Sequence, residues 1–260
     1  MTDVLVVKTP DEAGEWVASR FTATIATRPD AVFGLATGST PLPIYRALAR
    51  QAAEQKLDLS RVRGFALDEY VGLPEGHEQS YRTVITNEVV KTVGLNPELV
   101  HVPNGAIDGI RTAGERYEEA IVAAGGIDWQ ILGVGSNGHI GFNEPGSSLA
   151  SLTRVVKLAE QTRQDNARFF DSIDDVPTHS ITQGVGTILR ARNLVLLAFG
   201  EHKAAAVASA IEGPVTASVP ASAIQLHPHV TVLADEAAAS QLRNLAYYRS
   251  ATENKPEWLS

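Results

Sequence analysis

The sequence contains no cysteine, a single methionine and few aromatic residues, which make up 6% of its 260 residues. Without cysteine, disulfides, thiolate nucleophiles and cysteine-ligated zinc sites are excluded, so chemistry must rest on carboxylates, histidine, hydroxyls and backbone groups. The longest apolar runs, such as residues 194–199, are far shorter than the roughly 20 residues that span a membrane. Basic residues are outnumbered, 22 against 30 acidic ones, and the net charge of −8 argues against general binding to nucleic acid or anionic membranes.

The remaining composition, 44% hydrophobic and 20% charged, is that of a globular chain long enough to bury a sizeable core. Apolar runs alternate with stretches of helical spacing, and they lie at residues 4–7, 31–36, 64–67, 129–134, 194–199 and 230–234. Because the runs are nearly continuous, they predict an α/β fold with a doubly wound, mostly parallel sheet and helices on both faces, Rossmann-like and three-layered. We expect a single domain over residues 1–260 and a cytoplasmic location, since no linker or leader sequence is evident.

The first helix has a clear start, because Thr9 can serve as N-cap, Pro10 fits the first helical position and Glu12 completes a capping box. We expect this helix to run to about Arg28. Further helices are predicted to begin near Pro41, after Ser80, after Asp108 and near Gln161, Thr182, Glu201 and Asp235, the one after Glu201 ending at Gly213 and Pro214. The longest irregular stretch, 137–152, is of a kind that is often functional.

Ligands of a doubly wound sheet bind beyond the carboxyl ends of its strands, where three loops carry unusual residues. The first loop contains Thr37, Gly38, Ser39 and Thr40 and leads into a predicted helix. Glycine, hydroxyl donors and a helix N-terminus would suit a phosphate, although Ser39 or Thr40 could equally be a simple helix cap. No Walker lysine follows, which disfavours a nucleoside triphosphate.

The second loop begins where the run at 64–67 meets Asp68 and Glu69. Successive strand residues point to opposite faces, so only one of these carboxylates can face a given pocket. A partly desolvated carboxylate has a raised proton affinity and could take a proton from a carbon beside a carbonyl. The alternative is that both residues are solvated charges or part of a helix cap.

The third loop presents His139 among glycines, with Asn137 and Glu144 a few positions away. Its G-x-G-x-x-G spacing is not a dinucleotide fingerprint, because Gly141 and the proline that closes the loop prevent the required helix. A histidine can carry protons in both directions, and a neighbouring amide or carboxylate can fix its orientation. A purely structural histidine is the alternative.

Two cations are candidates for holding a phosphate. Arg168 lies in a predicted helix, and Lys203 lies in the first turn of the helix that follows residues 194–199. A cation at that position opposes the helix dipole, which a bound anion would explain, although an exposed surface lysine fits as well. His227 and His229 lack a third ligand, so the sequence predicts no metal site.

Five segments, at residues 35–41, 67–73, 80–81, 133–145 and 178–182, occur in an order that is known from one family. The most specific read Asp-Glu-Tyr-Val-Gly-Leu from Asp68 and Gly-His-Ile-Gly-Phe-Asn-Glu-Pro from Gly138. Together they resemble the glucosamine-6-phosphate deaminases. The resemblance implies a cytoplasmic enzyme of amino-sugar catabolism that converts glucosamine 6-phosphate and water reversibly to fructose 6-phosphate and ammonium. Such an enzyme is a hydrolase of a C–N bond that isomerises an aldose to a ketose, and it uses no cofactor.

The resemblance also implies residue roles. His139, held by Asn137 and Glu144, would open the sugar ring, and Asp68 would move a proton from C2 to C1 so that water can release the amine. Residues 37–40, Arg168 and Lys203 would hold the phosphate of a small sugar-phosphate partner.

Two positions depart from the family pattern. Many members have aspartate where this chain has Asn137, and the allosteric hexameric members have lysine where it has Val156. An amide can still orient His139 but adds no negative charge. Arg154 matches an arginine that contacts the effector, yet the missing lysine argues against activation by N-acetylglucosamine 6-phosphate. The resemblance therefore leaves a homo-oligomer and a monomer both open.

Two other functions are compatible with such a fold. A 6-phosphogluconolactonase would hydrolyse an ester and would need no base at C2. The sugar-phosphate sensing domain of a transcriptional regulator would follow a DNA-binding segment, for which we expect no room before the first helix. A sensing domain would also have no need of Asp68, His139 and Glu144.

Overall fold

The computed structural model describes residues 2–253. The strands are β1 (Asp3–Val7), β2 (Val32–Leu35), β3 (Arg63–Ala66), β4 (Asp68–Tyr70), β5 (Val100–His101), β6 (Trp129–Gly133), β7 (Arg154–Lys157), β8 (His179–Thr182), β9 (Asn193–Ala198) and β10 (Val230–Asp235). The α-helices are α1 (Pro10–Thr27), α2 (Leu42–Glu54), α3 (Tyr81–Ile85), α4 (Lys91–Val93), α5 (Ile110–Ala123), α6 (Glu160–Asn166), α7 (Val185–Ile188), α8 (Ala204–Glu212) and α9 (Leu245–Glu253). A π-helical turn, Thr86–Val90, joins α3 to α4.

Seven strands form a parallel sheet in the order β1-β10-β9-β6-β2-β3-β5. Phe33 of β2 stacks on Phe21 of α1, whereas Phe65 of β3 contacts Tyr117 of α5. Phe33 lies opposite Gly64 in the β2–β3 register, so the rings of Phe33 and Phe65 point to opposite faces. The sheet therefore has helices on both faces, which confirms the predicted three-layer α/β fold and all six predicted strands.

A second sheet was not predicted. It has three antiparallel strands in the order β4-β8-β7, and it pairs Asp68 with Thr182 across β4 and β8. The helix predicted near Thr182 is present as the short helix α7, which begins three residues later at Val185 because Thr182 itself ends β8. Leu67 joins the two sheets: its N–H donates to Leu35 O, and its carbonyl accepts from Gln183 N.

Most predicted helix ends are confirmed. Thr9 caps α1 by accepting from Glu12 N at 3.2 Å, and the Glu12 carboxylate accepts from Lys8 N at 2.7 Å. Helix α8 ends at Glu212 with Gly213 as its C-cap. The helix predicted near Asp235 is wrong, because this side chain accepts bonds from backbone N–H groups in a turn and α9 starts only at residue 245.

The strand order reverses between β2 and β6, with β3 and β5 on one side and β9, β10 and β1 on the other. A crevice beyond the carboxyl ends of these two central strands is where such a sheet binds ligands. Among the described residues, no helix is long and apolar enough to cross a membrane. One main hydrophobic core extends from Val4 to Leu242, and a small second core surrounds Tyr70, Phe142 and Leu158. The single domain over residues 1–260 stays a prediction.

Candidate active site

Glu69 is a structural residue, and this distinguishes it from its neighbour Asp68. Its carboxylate is 5% exposed and accepts four hydrogen bonds at the start of α3. The donors are Tyr70 N, Ser80 Oγ, Tyr81 N and Arg82 N, all at 2.8–2.9 Å. A carboxylate at a helix N-terminus satisfies N–H groups that have no partner within the helix. Glu69 is therefore committed to holding the helix that begins at Tyr81.

Asp68 lies on the opposite face of β4 and is 7% exposed. No described residue donates a hydrogen bond to its carboxylate, and a Cβ built on Gly141 would lie 3.5 Å from Oδ2. Burial, together with the negative charge of Glu69, raises the pKa of Asp68 to about 8. A buried carboxylate without hydrogen-bond donors has the proton affinity that a general base needs near neutral pH.

His139 and Glu144 form a contact in the loop after β6. His139 Nδ1 lies 3.5 Å from Glu144 Oε2, and the same oxygen accepts from Asn137 Nδ2 at 2.8 Å. Asn137 Oδ1 in turn accepts the backbone N–H of His139 at 3.1 Å. The structure thus brings together the three residues that the sequence predicts, with the amide of Asn137 contacting both of the others.

The charge of Glu144 is stabilised within this group. Burial by itself would raise the pKa of Glu144, but contacts with His139, Thr162 and Asn137 outweigh burial and lower it to about 2. Thr162 of α6 donates its hydroxyl hydrogen bond to Glu144 Oε1. Glu144 is therefore ionised at neutral pH and can accept from, or stabilise positive charge on, the His139 ring.

Glycines make room for the His139 ring. A Cβ on Gly135 would lie 2.2 Å from His139 Cε1, so only glycine fits beneath the ring as it is placed. The loop is closed by a hydrogen bond from Gly135 N to His139 O at 2.9 Å. Gly138 has φ +84°, a conformation that favours glycine, and its carbonyl accepts from Ala221 N.

The proposed phosphate loop lies at the carboxyl end of β2. Helix α2 begins at Leu42 with Pro41 as N-cap and no side-chain cap, so neither Ser39 nor Thr40 has the capping role left open by the sequence. Gly38 has φ +89°, and the space beside its Cα is open. Hydroxyls and backbone N–H groups that no cap uses are suitable donors to an anion.

The two predicted cations lie near each other. Arg168 is exposed in the 3₁₀ helix Ala167–Phe169 that directly continues α6, in agreement with its predicted helical position, and its guanidinium lies 4.7 Å over the ring of Phe169. Lys203 is half-buried, and its pKa is lowered by burial and by Arg168, against the opposing charge of Asp165. Two cations that interact in an acidic protein would suit an anion locally, and their role in binding phosphate stays a prediction.

Arg154 is bonded within the protein through one of its guanidinium nitrogens. Its Nη1 donates to the buried Asn143 Oδ1 at 2.9 Å, and Asn143 Nδ2 donates to Ile140 O and Gln183 O. Burial lowers the pKa of Arg154. Val156 packs on the second hydrophobic core. The guanidinium is therefore part of the support of the loop that carries His139.

Sequence reasoning missed Thr162 and Thr182. Thr182 Oγ1 accepts from Phe142 N at 3.2 Å and lies beside Gly141, next to Asp68. Neither threonine carries a local signal, since their contacts reach across 18 and 40 residues of sequence. His227 contacts backbone carbonyls of Ala191 and His229, and no group of metal-ligating side chains occurs among residues 2–253.

Known proteins similar to this chain agree with the family resemblance that the sequence motifs indicate. The sequence profile described as glucosamine-6-phosphate isomerases/6-phosphogluconolactonase matches residues 8–233. Glucosamine-6-phosphate deaminases of Bifidobacterium longum (strain DJO10A) and Streptomyces avermitilis are 56% and 54% identical to this chain. These alignments cover 99% and 98% of this chain and the same shares of the relatives.

The solved structures agree. A monomeric glucosamine-6-phosphate deaminase superposes with a TM-score of 0.87 at 43% identity, covering 93% of this chain and all of the other. The 6-phosphogluconolactonase of Leishmania guyanensis superposes with a TM-score of 0.72 at 21% identity, covering 92% of this chain and 98% of the other. This similarity shows the shared fold alone. The chain belongs to the family of glucosamine-6-phosphate isomerases and 6-phosphogluconolactonases.

Proposed function

We propose that this protein converts glucosamine 6-phosphate and water reversibly to fructose 6-phosphate and ammonium. The observation that carries the proposal is Asp68, a buried carboxylate without hydrogen-bond donors, set apart from the structural Glu69 beside it. An isomerisation needs a base that takes a proton from C2, and a lactone hydrolysis does not. The names of relatives that are 54–56% identical support the same substrate.

The chemistry begins with ring opening. His139 takes the proton of the anomeric hydroxyl and gives a proton to the ring oxygen, while the ionised Glu144 stabilises the charged imidazole. Asn137 contacts both residues and keeps the imidazole in place. The product of this step is the open-chain aldehyde, whose C2–H bond is acidified by the adjacent carbonyl.

Asp68 then takes the proton from C2 and returns it to C1. The electrons of the C2–H bond form a double bond to C1, and the displaced carbonyl pair takes a proton from the ammonium group of the substrate, which gives an enol that carries a neutral amine. Protonation at C1 by Asp68 then draws in the nitrogen lone pair and leaves an iminium at C2. Water adds to this carbon, and the C–N bond breaks to release ammonia, which is protonated to ammonium. One base serves both carbons because they are adjacent, so a single buried carboxylate suffices.

The phosphate end holds the substrate in register. The substrate phosphate would be bound by residues 37–40, Arg168 and Lys203, so binding energy from an unreactive group positions the reacting carbons.

The comparisons support an isomerising deaminase. Hydrolysis describes only one step of this reaction, the addition of water to the iminium and the release of ammonia.

Coupled detection of fructose 6-phosphate and ammonium from glucosamine 6-phosphate tests the proposal. We expect equimolar release of both products, which Asp68→Asn abolishes. The comparison substrate is 6-phosphogluconolactone. Lactone hydrolysis that survives in Asp68→Asn, without ammonium release from glucosamine 6-phosphate by the unmodified enzyme, would establish the lactonase instead.

The same activity assay, run with N-acetylglucosamine 6-phosphate, tests whether the enzyme is regulated by that compound. Because Arg154 is bonded to Asn143 and Val156 stands where a second cation would be needed, we propose turnover that does not respond to N-acetylglucosamine 6-phosphate. Activation by this compound would contradict the proposal. We also propose a cytoplasmic enzyme, and its oligomeric state is to be measured by sedimentation.

A further inference from the structure

We propose that Thr162 is a positioning residue for ring opening, which fixes the Glu144 carboxylate so that Glu144 in turn orients His139. The inference rests on the proposed function. Thr162 lies in α6, is 4% exposed, and donates its hydroxyl hydrogen bond to Glu144 Oε1. Thr162 is 18 residues away in sequence from Glu144, which lies in the loop after β6.

The two oxygens of Glu144 have separate contacts. Oε2 accepts from Asn137 Nδ2 and faces His139 Nδ1, whereas Oε1 accepts from Thr162. The terminal torsion of a glutamate is broad and roughly two-fold, so a carboxylate held at one oxygen alone can swing. A donor at each oxygen keeps Oε2 opposite the imidazole.

The His139 ring depends on this placement. Its Nδ1 is buried and has no hydrogen-bond partner among the described residues, and Glu144 Oε2 faces it at 3.5 Å. The partner of one ring nitrogen decides which tautomer the ring adopts and which way the other nitrogen points. A hydroxyl that fixes Glu144 therefore acts on proton transfer at His139 without touching the sugar.

The same segment also carries one of the proposed phosphate cations. Arg168 lies six positions after Thr162, in the 3₁₀ helix Ala167–Phe169 that directly follows α6, and it interacts electrostatically with Lys203. Thr162 and the proposed phosphate cation Arg168 therefore lie on successive elements of the chain, and no described hydrogen bond joins the two side chains, so the two ends of the site can be tested separately.

Ring opening can be measured by itself in an Asp68→Asn background. This variant lacks the base for C2 but keeps His139 and Glu144, so interconversion of the two substrate anomers above the buffer rate reports ring opening. Exchange NMR on glucosamine 6-phosphate labelled with carbon-13 at C1 gives the rate. Adding Thr162→Val should lower it about tenfold or more, as for the loss of one hydrogen bond to a charged group, and Thr162→Ser should retain it.

Two controls separate positioning from folding. Thr187→Val also removes a buried threonine hydroxyl that donates to a carboxylate, Glu118 Oε1, and it should leave the anomer exchange rate unchanged. Affinity for glucitol 6-phosphate, an open-chain sugar phosphate that needs no ring opening, should survive in Thr162→Val. If Thr162→Val does not fold, Thr162→Ala gives the same comparison.

The nitrogen-15 shifts of His139 give a second measurement. They should move in Thr162→Val and stay unchanged in Thr187→Val. The proposal is overturned if Thr162→Val exchanges anomers as fast as its parent, or loses glucitol 6-phosphate affinity in the same proportion. Ammonium release by the unmodified enzyme tests the proposed function separately, so an active deaminase with an unaffected Thr162→Val overturns the role of Thr162 alone.

Discussion

Replacing Asp68 with asparagine should stabilise the free enzyme at neutral pH while it removes the activity. In the unfolded chain an aspartate ionises near pH 3.9, whereas in the folded protein burial and the charge of Glu69 raise the pKa of Asp68 to about 8. Between these pH values the unfolded chain has released a proton that the folded protein still holds. The stability of the unmodified enzyme therefore falls as pH rises from about 4 to about 8, and an asparagine does not share this loss.

The size of the effect follows from the two pKa values. At 1.36 kcal/mol for each pH unit, the raised pKa of Asp68 lowers the free energy of unfolding by about 1.5 kcal/mol at pH 5 and by about 4 kcal/mol at pH 7. The pH-independent cost of burying an amide cancels when the two pH values are compared. The stability of Asp68→Asn relative to the unmodified enzyme should thus grow by about 2.5 kcal/mol, or roughly 5–10 °C in Tm, from pH 5 to pH 7.

Urea unfolding of both proteins at pH 5, 6, 7 and 8, without phosphate, measures this difference. Glu212→Gln is the matched control, because backbone N–H groups of Arg243 and Asn244 lower the pKa of Glu212, so that it is ionised in both states from pH 6 to pH 8, and none of its hydrogen-bond partners among the described residues is a histidine. Its effect on stability should be constant from pH 6 to pH 8. A difference between Asp68→Asn and the unmodified enzyme that is equally constant would refute the raised pKa of Asp68. The same pKa predicts that kcat/KM rises with pH and levels off above about 8.

Four further substitutions test other parts of the site and the fold. Gly135→Ala would place a methyl group 2.2 Å from the His139 ring, and the displaced ring should cost about 100-fold in kcat for ammonium release while the folded structure by circular dichroism is retained. Arg168→Ala and Lys203→Met should each raise KM for glucosamine 6-phosphate about tenfold or more, by loss of a charged contact to phosphate, and an unchanged KM would remove that residue from the phosphate site. Glu212→Ala should lower the free energy of unfolding in urea by about 1–3 kcal/mol with unchanged kcat, because this buried carboxylate accepts backbone N–H groups that precede α9.

The parallel sheet could be predicted from the sequence because its strands are covered on both faces. Each of the six predicted runs is nearly continuous in apolar residues, and that pattern depends on burial rather than on which strands are neighbours. The edge strand β5 was missed because it has two residues. The antiparallel sheet was missed for a different reason. Its strands are short and partly polar, and β4 pairs with β8 across more than a hundred residues of sequence.

Some features of the candidate site could also be predicted from the sequence, and others could not. Strand-end loops could be named in advance, since the carboxyl edge of a doubly wound sheet is where ligands bind. Whether Asp68 or Glu69 is the base could not be decided from alternation alone. The answer depends on the pairing of Asp68 with Thr182 and on the distant helix start that Glu69 holds. The role of Thr162 has no local signal at all.

The second sheet is also the physical source of the basicity of Asp68. Had the chain simply ended β3 in a loop, a carboxylate there would be solvated and would ionise near its ordinary pKa. Instead Leu67 is bonded to both sheets, and the chain enters β4 with Asp68 paired to Thr182, beneath the glycine at position 141. The phosphate loop depends on the parallel sheet, through β2, and needs no such burial. Binding of the substrate phosphate and basicity toward its C2 proton therefore rest on different sheets, so changes in the β4–β8 pairing should lower kcat with little effect on KM.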